Sequence, residues 1–148
     1  MEDSFTIKGH LDIIVTGPDG KVKQRVEVKN TVTSDGLAGV MDQLLDSPTL
    51  PKAGWMELGT GSAITSKHLQ TYIANSRHAV DTPSRDGAVV TFSHTWAAGE
   101  ATNAAITEAG LFDVVTQNTA NAWCYTTFTA VNKGAADALQ IVWTLTIS

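Results

Sequence analysis

The last ten residues of the chain, LQIVWTLTIS, alternate strictly between two kinds of side chain. Large apolar side chains occupy every second position, and mostly small or polar ones lie between them; the apolar set is Leu139, Ile141, Trp143, Leu145 and Ile147. Successive side chains of an extended backbone point to opposite faces, so the pattern predicts a strand with one buried face. An exposed edge carrying Ile141 and Trp143 would invite aggregation, and we therefore expect this strand to be paired within a sheet.

Two further alternating segments lie at the start of the chain and predict a hairpin. Residues 5–16 and 21–33 are its strands, and Gly17-Pro18-Asp19-Gly20 is the turn, because proline presets the first turn dihedral and glycine accepts a positive φ. Basic side chains alternate along the second strand and predict its solvated face; they are Lys21, Lys23, Arg25 and Lys29.

One segment has the periodicity of a helix. Its apolar residues follow a spacing of three and four positions and are Leu37, Val40, Met41, Leu44 and Leu45. Ser34-Asp35 offers an N-cap, and Pro48 and Pro51 end the pattern. We interpret the apolar stripe as cover for the core of a sheet, rather than as a groove helix that binds a partner.

Shorter segments of the same kinds complete the chain. Strands are predicted at residues 55–58, 89–96, 105–113 and 123–130. Between them lie a flexible turn at 59–62, a single helical turn at 67–72 capped by Thr65 or Ser66, and a polar loop or irregular edge at 75–87. Six to eight strands with one helix predict a mainly β fold: an antiparallel, jelly-roll-like β-sandwich with one short amphipathic helix.

Length and composition refine this picture. The 148 residues predict one domain, 1–148, in which residues 1–8 are a candidate N-terminal arm because Phe5 and Ile7 precede the hairpin. Charged residues make up only 17% of the chain, so we expect part of the surface to meet a partner. The net charge of -5 argues against a nucleic-acid partner, and no apolar stretch approaches the roughly 20 residues that span a membrane. We expect a soluble protein made in the cytoplasm.

The chain carries no strong catalytic or metal signature. Gly59-Thr60-Gly61 lacks the third glycine of a dinucleotide loop, since Ile64 stands there, and the histidines lack metal-site spacing. Ser93 and His94 are neighbours on a predicted strand and point to opposite faces, so they cannot form a nucleophile and base. The single cysteine, Cys124, lies in an apolar run and is predicted to be buried. We expect no enzyme activity, no cofactor and no metal.

The tryptophans and their aromatic neighbours allow two interpretations. Trp55, Trp96, Trp123 and Trp143, together with Phe92, Tyr125 and Phe128, lie at strand positions and favour the core or a subunit interface. If the tryptophans were exposed, they could instead line a carbohydrate-binding platform. A carbohydrate-binding or glycan-processing β-sandwich is therefore the alternative from another class of protein.

A resemblance rests on the segment Ala105-Ile106-Thr107-Glu108-Ala109-Gly110-Leu111-Phe112-Asp113. Its pattern I-x-E-x-G-L-F resembles a segment of structural proteins of tailed bacteriophages. The order of features is similar over about two thirds of the chain: a Leu-Gly-Thr-Gly turn at 58–61, a variable middle, this segment, an aromatic strand and the final ladder. We expect the carboxylate of Glu108 to accept backbone hydrogen bonds at a tight turn near Gly110, while Leu111 and Phe112 re-enter the core.

The resemblance implies a non-enzymatic role in a virion. The first expectation is a capsid decoration (cement) protein that bridges capsomers and binds the major capsid protein. The alternative is a tail or fibre component that contacts other tail proteins or the host surface. Such proteins act as small homo-oligomers, often trimers. The residues considered for the interface are Phe5, Ile7 and Trp55.

Overall fold

The computed structural model describes residues 6–65, 67–117 and 119–148, without the side chain of Thr31. Nine strands and one helix follow each other along this part of the chain. In order they are β1 (Ile7–Thr16), β2 (Val22–Val32), α1 (Ser34–Asp42), β3 (Trp55–Gly59), β4 (His78–Ala79), β5 (Ser84–Asp86), β6 (Val89–Trp96), β7 (Asn103–Phe112), β8 (Ala122–Lys133) and β9 (Ala138–Ile147). The fold is mainly β, and its two antiparallel sheets pack together as a β-sandwich, as the sequence predicts.

Strand β2 belongs to both sheets. The hydrogen-bonded order is β4-β3-β7-β8-β2-β1-β9-β6-β5. The first part of β2 pairs with β1, from Val22 opposite Thr16 to Asn30 opposite Gly9, whereas Thr31 and Val32 pair with β8. Beyond those two residues side chains link β2 to β8; for example, the Thr126 hydroxyl donates to the carbonyl of Lys29 over 2.9 Å. One sheet therefore passes into the other through β2.

The strand predicted from the last ten residues is confirmed, and it lies in the centre of its sheet. β9 pairs with β1 on one side, from Ile7 opposite Ile147 to Thr16 opposite Ala138, and with β6 on the other. Its inward side chains Leu139, Ile141 and Trp143 are fully buried. They meet alternate residues of β1 and the inner faces of β7 and β8 in one core, because each strand presents every second side chain inward.

The predicted hairpin is also confirmed. Residues 17–20 connect β1 and β2, and the backbone of Gly20 has φ of 80°, a left-handed conformation that glycine adopts without strain. The predicted solvated face of β2 is exposed at Lys21, Lys23, Arg25 and Lys29. The two edge strands of the combined sheet, β4 and β5, are only two and three residues long, and both lie in the segment predicted as a loop or irregular edge.

The helix forms where it is predicted, but its packing contradicts the interpretation of its apolar stripe. Thr33, rather than Ser34 or Asp35, is the N-cap, and its side chain accepts from the backbone N–H of Gly36. The buried residues of α1 are Gly36 and Gly39, which lie directly against Trp123 of β8. The expectation that the apolar stripe covers the core holds for Val40, which is half-buried and packs against the core. It is wrong for the other four residues, because two glycines let the helix backbone approach the sheet while Leu37, Met41, Leu44 and Leu45 stay exposed.

Two further local expectations differ from the structure. Residues 67–72, predicted as a helical turn, form bends and turns instead. Isolated β-bridges connect this segment to its neighbours, from Leu69 to Ile64 and from Tyr72 to Gly59. The candidate arm at residues 1–8 lies partly outside the described residues. Ile7 and Lys8 belong to β1 and pair with Ile147 and Thr146 of the same chain.

Candidate functional site

The segment that carries the resemblance lies within β7, and its carboxylate joins three parts of the fold. Glu108 is fully buried. Its Oε1 accepts from the backbone N–H of Gly61 over 3.1 Å, and its Oε2 accepts from the Tyr125 hydroxyl over 3.0 Å. A Cβ on Gly59 would lie 2.3 Å from Oε1 of Glu108, so only glycine leaves room there for the carboxylate. The Leu-Gly-Thr-Gly turn and the Glu-x-Gly-Leu-Phe segment are therefore in direct contact.

The expected tight turn at Gly110 is not present. Residues 108–112 continue β7, and Gly110 lies opposite Glu57 of β3 and Tyr125 of β8. A Cβ at Gly110 would approach the Phe112 ring to 2.5 Å, so this glycine makes space for the phenylalanine two positions along the same face. Leu111 and Phe112 are both fully buried.

A second buried carboxylate lies beside the first. Glu57 of β3 is fully buried, and the guanidinium of Arg77 donates to it through Nε over 3.0 Å and through Nη2 over 3.3 Å. The backbone N–H of Leu69 and the Gln117 side chain also donate to Glu57. The Arg77 guanidinium lies 3.9 Å from the centre of the Phe112 ring. These contacts fasten the loop 60–77 to β3 and β7.

Burial raises the pKa of two members of this cluster, Glu108 and Tyr125. Removal from water raises the pKa of Glu108 above its ordinary value, against the lowering effect of its bonds from Tyr125 and Gly61. Burial, together with the hydrogen bond to Glu108, also raises the pKa of Tyr125. Both carboxylates are buried, and their hydrogen bonds hold the loop 60–77 against the sheet.

Two of the three residues considered for an interface, Ile7 and Trp55, lie within the described residues and pack against different apolar clusters. Phe5 lies outside the described residues. Ile7 is half-buried at the start of β1, opposite Ile147. Trp55 is half-buried at the start of β3, where it packs with the small cluster around Phe112. The structure does not bring Ile7 and Trp55 together.

The tryptophans do not form an exposed platform. Trp96 and Trp143 are fully buried, and Trp123 is 7% exposed. The indole nitrogens of the first two donate to partners within the protein: Trp96 to the carbonyl of Ser76 and Trp143 to the side chain of Asn30. The requirement of the carbohydrate-binding alternative, exposed tryptophans, is therefore not met at these three positions.

Two of the four histidines, His78 and His94, form a pair. His78 Nδ1 and His94 Nε2 lie 3.0 Å apart, and the His94 ring stands edge-on to Trp96. Burial and the neighbouring His78 lower the pKa of His94. Across the three described ranges, no group of three or more histidine, cysteine, aspartate or glutamate side chains could hold a metal ion. Cys124 is fully buried, as predicted.

Four large apolar side chains of α1 and of the turn that follows it are exposed and form a surface that we call the α1 ridge. It consists of Leu37, Met41, Leu44 and Leu45, which are 43%, 50%, 75% and 55% exposed. Leu37 and Met41 share one face of α1 by their spacing, and Leu44 lies in the turn after Asp42, where its backbone N–H donates to the carbonyl of Met41 over 3.1 Å. Asp42 accepts from the backbone N–H groups of Thr49 and Leu50 and so folds the following segment back against the helix end. Clustered exposed apolar side chains of this kind mark interaction surfaces.

An apolar depression, which we call the α1 groove, lies beside the ridge. One part of it has a volume of about 520 Å³ between Lys52, Arg85, Val90, Phe92 and Trp123. A smaller part of about 130 Å³ shares Val90, Phe92 and Trp123 and reaches Val40 of the helix as well as Ile7 and Ile147. The two parts have a common wall of aromatic and aliphatic side chains, so they form one continuous apolar surface between α1 and β6.

Sequence reasoning found the residues of the ridge but assigned them to the core. The signal that could have corrected this is the pair Gly36 and Gly39, one helical turn apart on the face next to Val40. Small residues at that spacing permit close packing of a helix backbone, which leaves the apolar stripe free.

No family model, no curated protein and no solved structure matches this chain. No helix within the described part of the chain is long and apolar enough to cross a membrane.

Proposed function

We propose that this chain is a non-enzymatic structural protein of a tailed-phage virion, and that it decorates the capsid by bridging neighbouring capsomers. The proposal rests on the resemblance of the 105–113 segment and of the order of features around it. Its partners are then the major capsid protein and further copies of the chain, with a trimer as the expected homo-oligomer. Its place is the virion, after synthesis in the host cytoplasm.

The observation that supports an assembly role is the α1 ridge. Leu44 is 75% exposed, and three more large apolar side chains lie around it. Full burial of an exposed side chain of this size contributes about 1.5–3 kcal/mol of hydrophobic free energy. The isolated chain does not gain this free energy where the side chain lies in water. A protein that functions through contacts with its neighbours recovers this free energy in the assembled particle.

The rigidity of the rest of the fold is consistent with the same role. Glu57, Arg77 and Glu108 close the loop 60–77 onto the sheet through buried hydrogen bonds. A cement protein transmits load between its neighbours, so a loop fixed at several buried points suits it better than a mobile one.

The copy number of the chain in purified virions tests the proposal. Quantitative mass spectrometry against the major capsid protein should give copies in the hundreds if the chain covers the capsid lattice. A few dozen copies or fewer would place the chain in the tail or at a vertex, and the tail or fibre alternative would replace the cement role. Absence from washed particles would overturn both virion roles.

A heat-release experiment tests the cement role directly. Particles that lack the chain should release their DNA at a lower temperature than complete particles, and purified chain added back should restore the higher temperature. The variant Leu44→Glu should restore it poorly. The matched control Val22→Glu changes a side chain that is 60% exposed at the start of β2, at the opposite end of that strand from α1, and should restore it fully.

A further inference from the structure

The α1 ridge and the α1 groove are complementary surfaces on one molecule. Val40 connects them, because it lies one helical turn from Leu37 and also lines the smaller part of the groove. The ridge is convex and built from leucine and methionine, whereas the groove is concave and lined by Val90, Phe92 and Trp123. Within one copy the two surfaces cannot meet, since Gly36 and Gly39 fix the helix backbone against Trp123.

The charges around the two surfaces are opposite. Asp35 and Asp46 are exposed at either end of the ridge, and α1 has no basic residue in its last turn. The charged side chains that line the larger part of the groove are Lys52 and Arg85, and both are exposed. An acidic apolar ridge therefore matches an apolar groove with a basic rim, and this arrangement favours one orientation of docking.

We propose that the α1 ridge of one copy packs into the α1 groove of a second copy. Both halves of the contact are encoded in the same chain, so repetition of the contact gives a closed homo-oligomer once the rotation between copies closes the ring. Leu44, the most exposed side chain of the ridge, enters the groove, while Asp35 and Asp46 lie near Lys52 and Arg85 of the neighbouring copy.

This inference deepens the proposed function, because it names the surface through which a virion building block would associate with itself. It is tested on purified protein without any particle, so its outcome is separate from the copy number in virions. A monomeric chain found in virions would overturn only this inference. A ridge-dependent oligomer that is absent from virions would overturn only the proposed function.

Sedimentation velocity over a series of protein concentrations measures the association. Wild type should form an oligomer of defined mass, and Leu44→Glu should raise its dissociation constant about tenfold or more, because a charge replaces an apolar side chain that becomes buried. Val22→Glu, on a side chain that is also exposed but lies outside the ridge and groove, should associate like wild type. Equal unfolding midpoints for the three proteins exclude misfolding as the cause.

A charge exchange tests which two surfaces meet. Lys52→Glu/Arg85→Glu places acids around the groove, and Asp35→Lys/Asp46→Lys places bases around the ridge. Each variant alone should associate more weakly than wild type, and an equimolar mixture should recover association, because the acidic groove of one then meets the basic ridge of the other.

Three results would overturn the inference. They are a wild-type chain that stays monomeric at every concentration, an oligomer that Leu44→Glu leaves intact, and charge-exchanged variants that fail to recover association when mixed. A monomeric wild type whose Leu44→Glu variant still loses its place in the particle would assign the ridge to a different virion protein.

Discussion

Replacement of Arg77 by methionine removes the only cationic side chain bonded to the buried carboxylate of Glu57 among the described residues. The guanidinium is 4% exposed and donates to Glu57, to the carbonyl of Val114 over 3.1 Å and to the carbonyl of Lys67 over 3.2 Å. Methionine has a similar length and stays apolar against the Phe112 ring. The variant therefore isolates the loss of charge and of hydrogen bonds from the loss of packing.

The expected cost is large for a single substitution. Removal of one member of a buried ion pair leaves the other charge uncompensated and costs about 3–5 kcal/mol. Small domains have a free energy of unfolding of about 5–15 kcal/mol, so this change removes a substantial part of it. The second variant, Glu57→Gln/Arg77→Met, leaves a neutral amide instead of an isolated carboxylate, and we expect it to recover part of the loss.

Guanidinium chloride unfolding, followed by tryptophan fluorescence, measures these differences. The matched control is Arg25→Met, because Arg25 makes a similar two-point contact with Asp12 but lies on the exposed face of β2. We expect the control to change stability far less, since an exposed ion pair is screened by water and salt. If Arg77→Met were no more destabilised than Arg25→Met, or if the double variant were less stable than Arg77→Met, the reasoning about the buried pair would be refuted.

Three further predictions concern the helix, the β7 carboxylate and the thiol. Gly36→Ala should detach α1 and destabilise the protein by several kcal/mol, because the new Cβ would lie 2.4 Å from the Trp123 carbonyl oxygen. The control Ala38→Ser, on the exposed face of the helix, should have little effect. Denaturant unfolding measures both variants. Burial raises the pKa of Glu108 in the folded protein, so the contribution of Glu108 to stability is complete below the pKa of the unfolded state and is lost as pH rises through the pKa of the folded state. Acidification from about pH 7 to about pH 4.5 should therefore stabilise wild type relative to Glu108→Gln. An unchanged difference in unfolding free energy between the two proteins would contradict this. Burial raises the pKa of Cys124 to about 12, so a thiol reagent at about pH 8 should label it only after unfolding, and rapid labelling of the native protein would contradict its burial.

Alternation of side chains was sufficient to predict most of the sandwich. β1, β9 and β6 each keep one buried face over eight or more residues, and such long regular patterns are the strongest signal that a sequence carries. β4 and β5 have two and three residues, so no alternation could develop along them, and their polar composition matched a loop. β4 and β5 form by pairing with the outer edges of β3 and β6.

The helix and the buried carboxylates show what periodicity does not measure. Hydrophobic periodicity locates the apolar face of a helix, but the face that packs in this protein is marked by Gly36 and Gly39, which carry almost no hydrophobic signal. Likewise, Glu57 and Glu108 look like ordinary surface acids in the sequence, and only the pairing of β3 with β7 places them beside each other and beneath the loop. Contacts between distant segments decide both cases.

The position of β9 between β1 and β6 has a consequence for biosynthesis. Translation produces β9 after the other eight strands of the described residues, yet β9 fills the centre of its sheet. Until it leaves the ribosome, β1 and β6 lack the neighbour that joins them, and the apolar faces of Leu11, Ile13 and Phe92 lack their cover. A chain stalled before residue 138 would therefore be a substrate for chaperones and proteases, and formation of the mature sandwich must await the synthesis of β9.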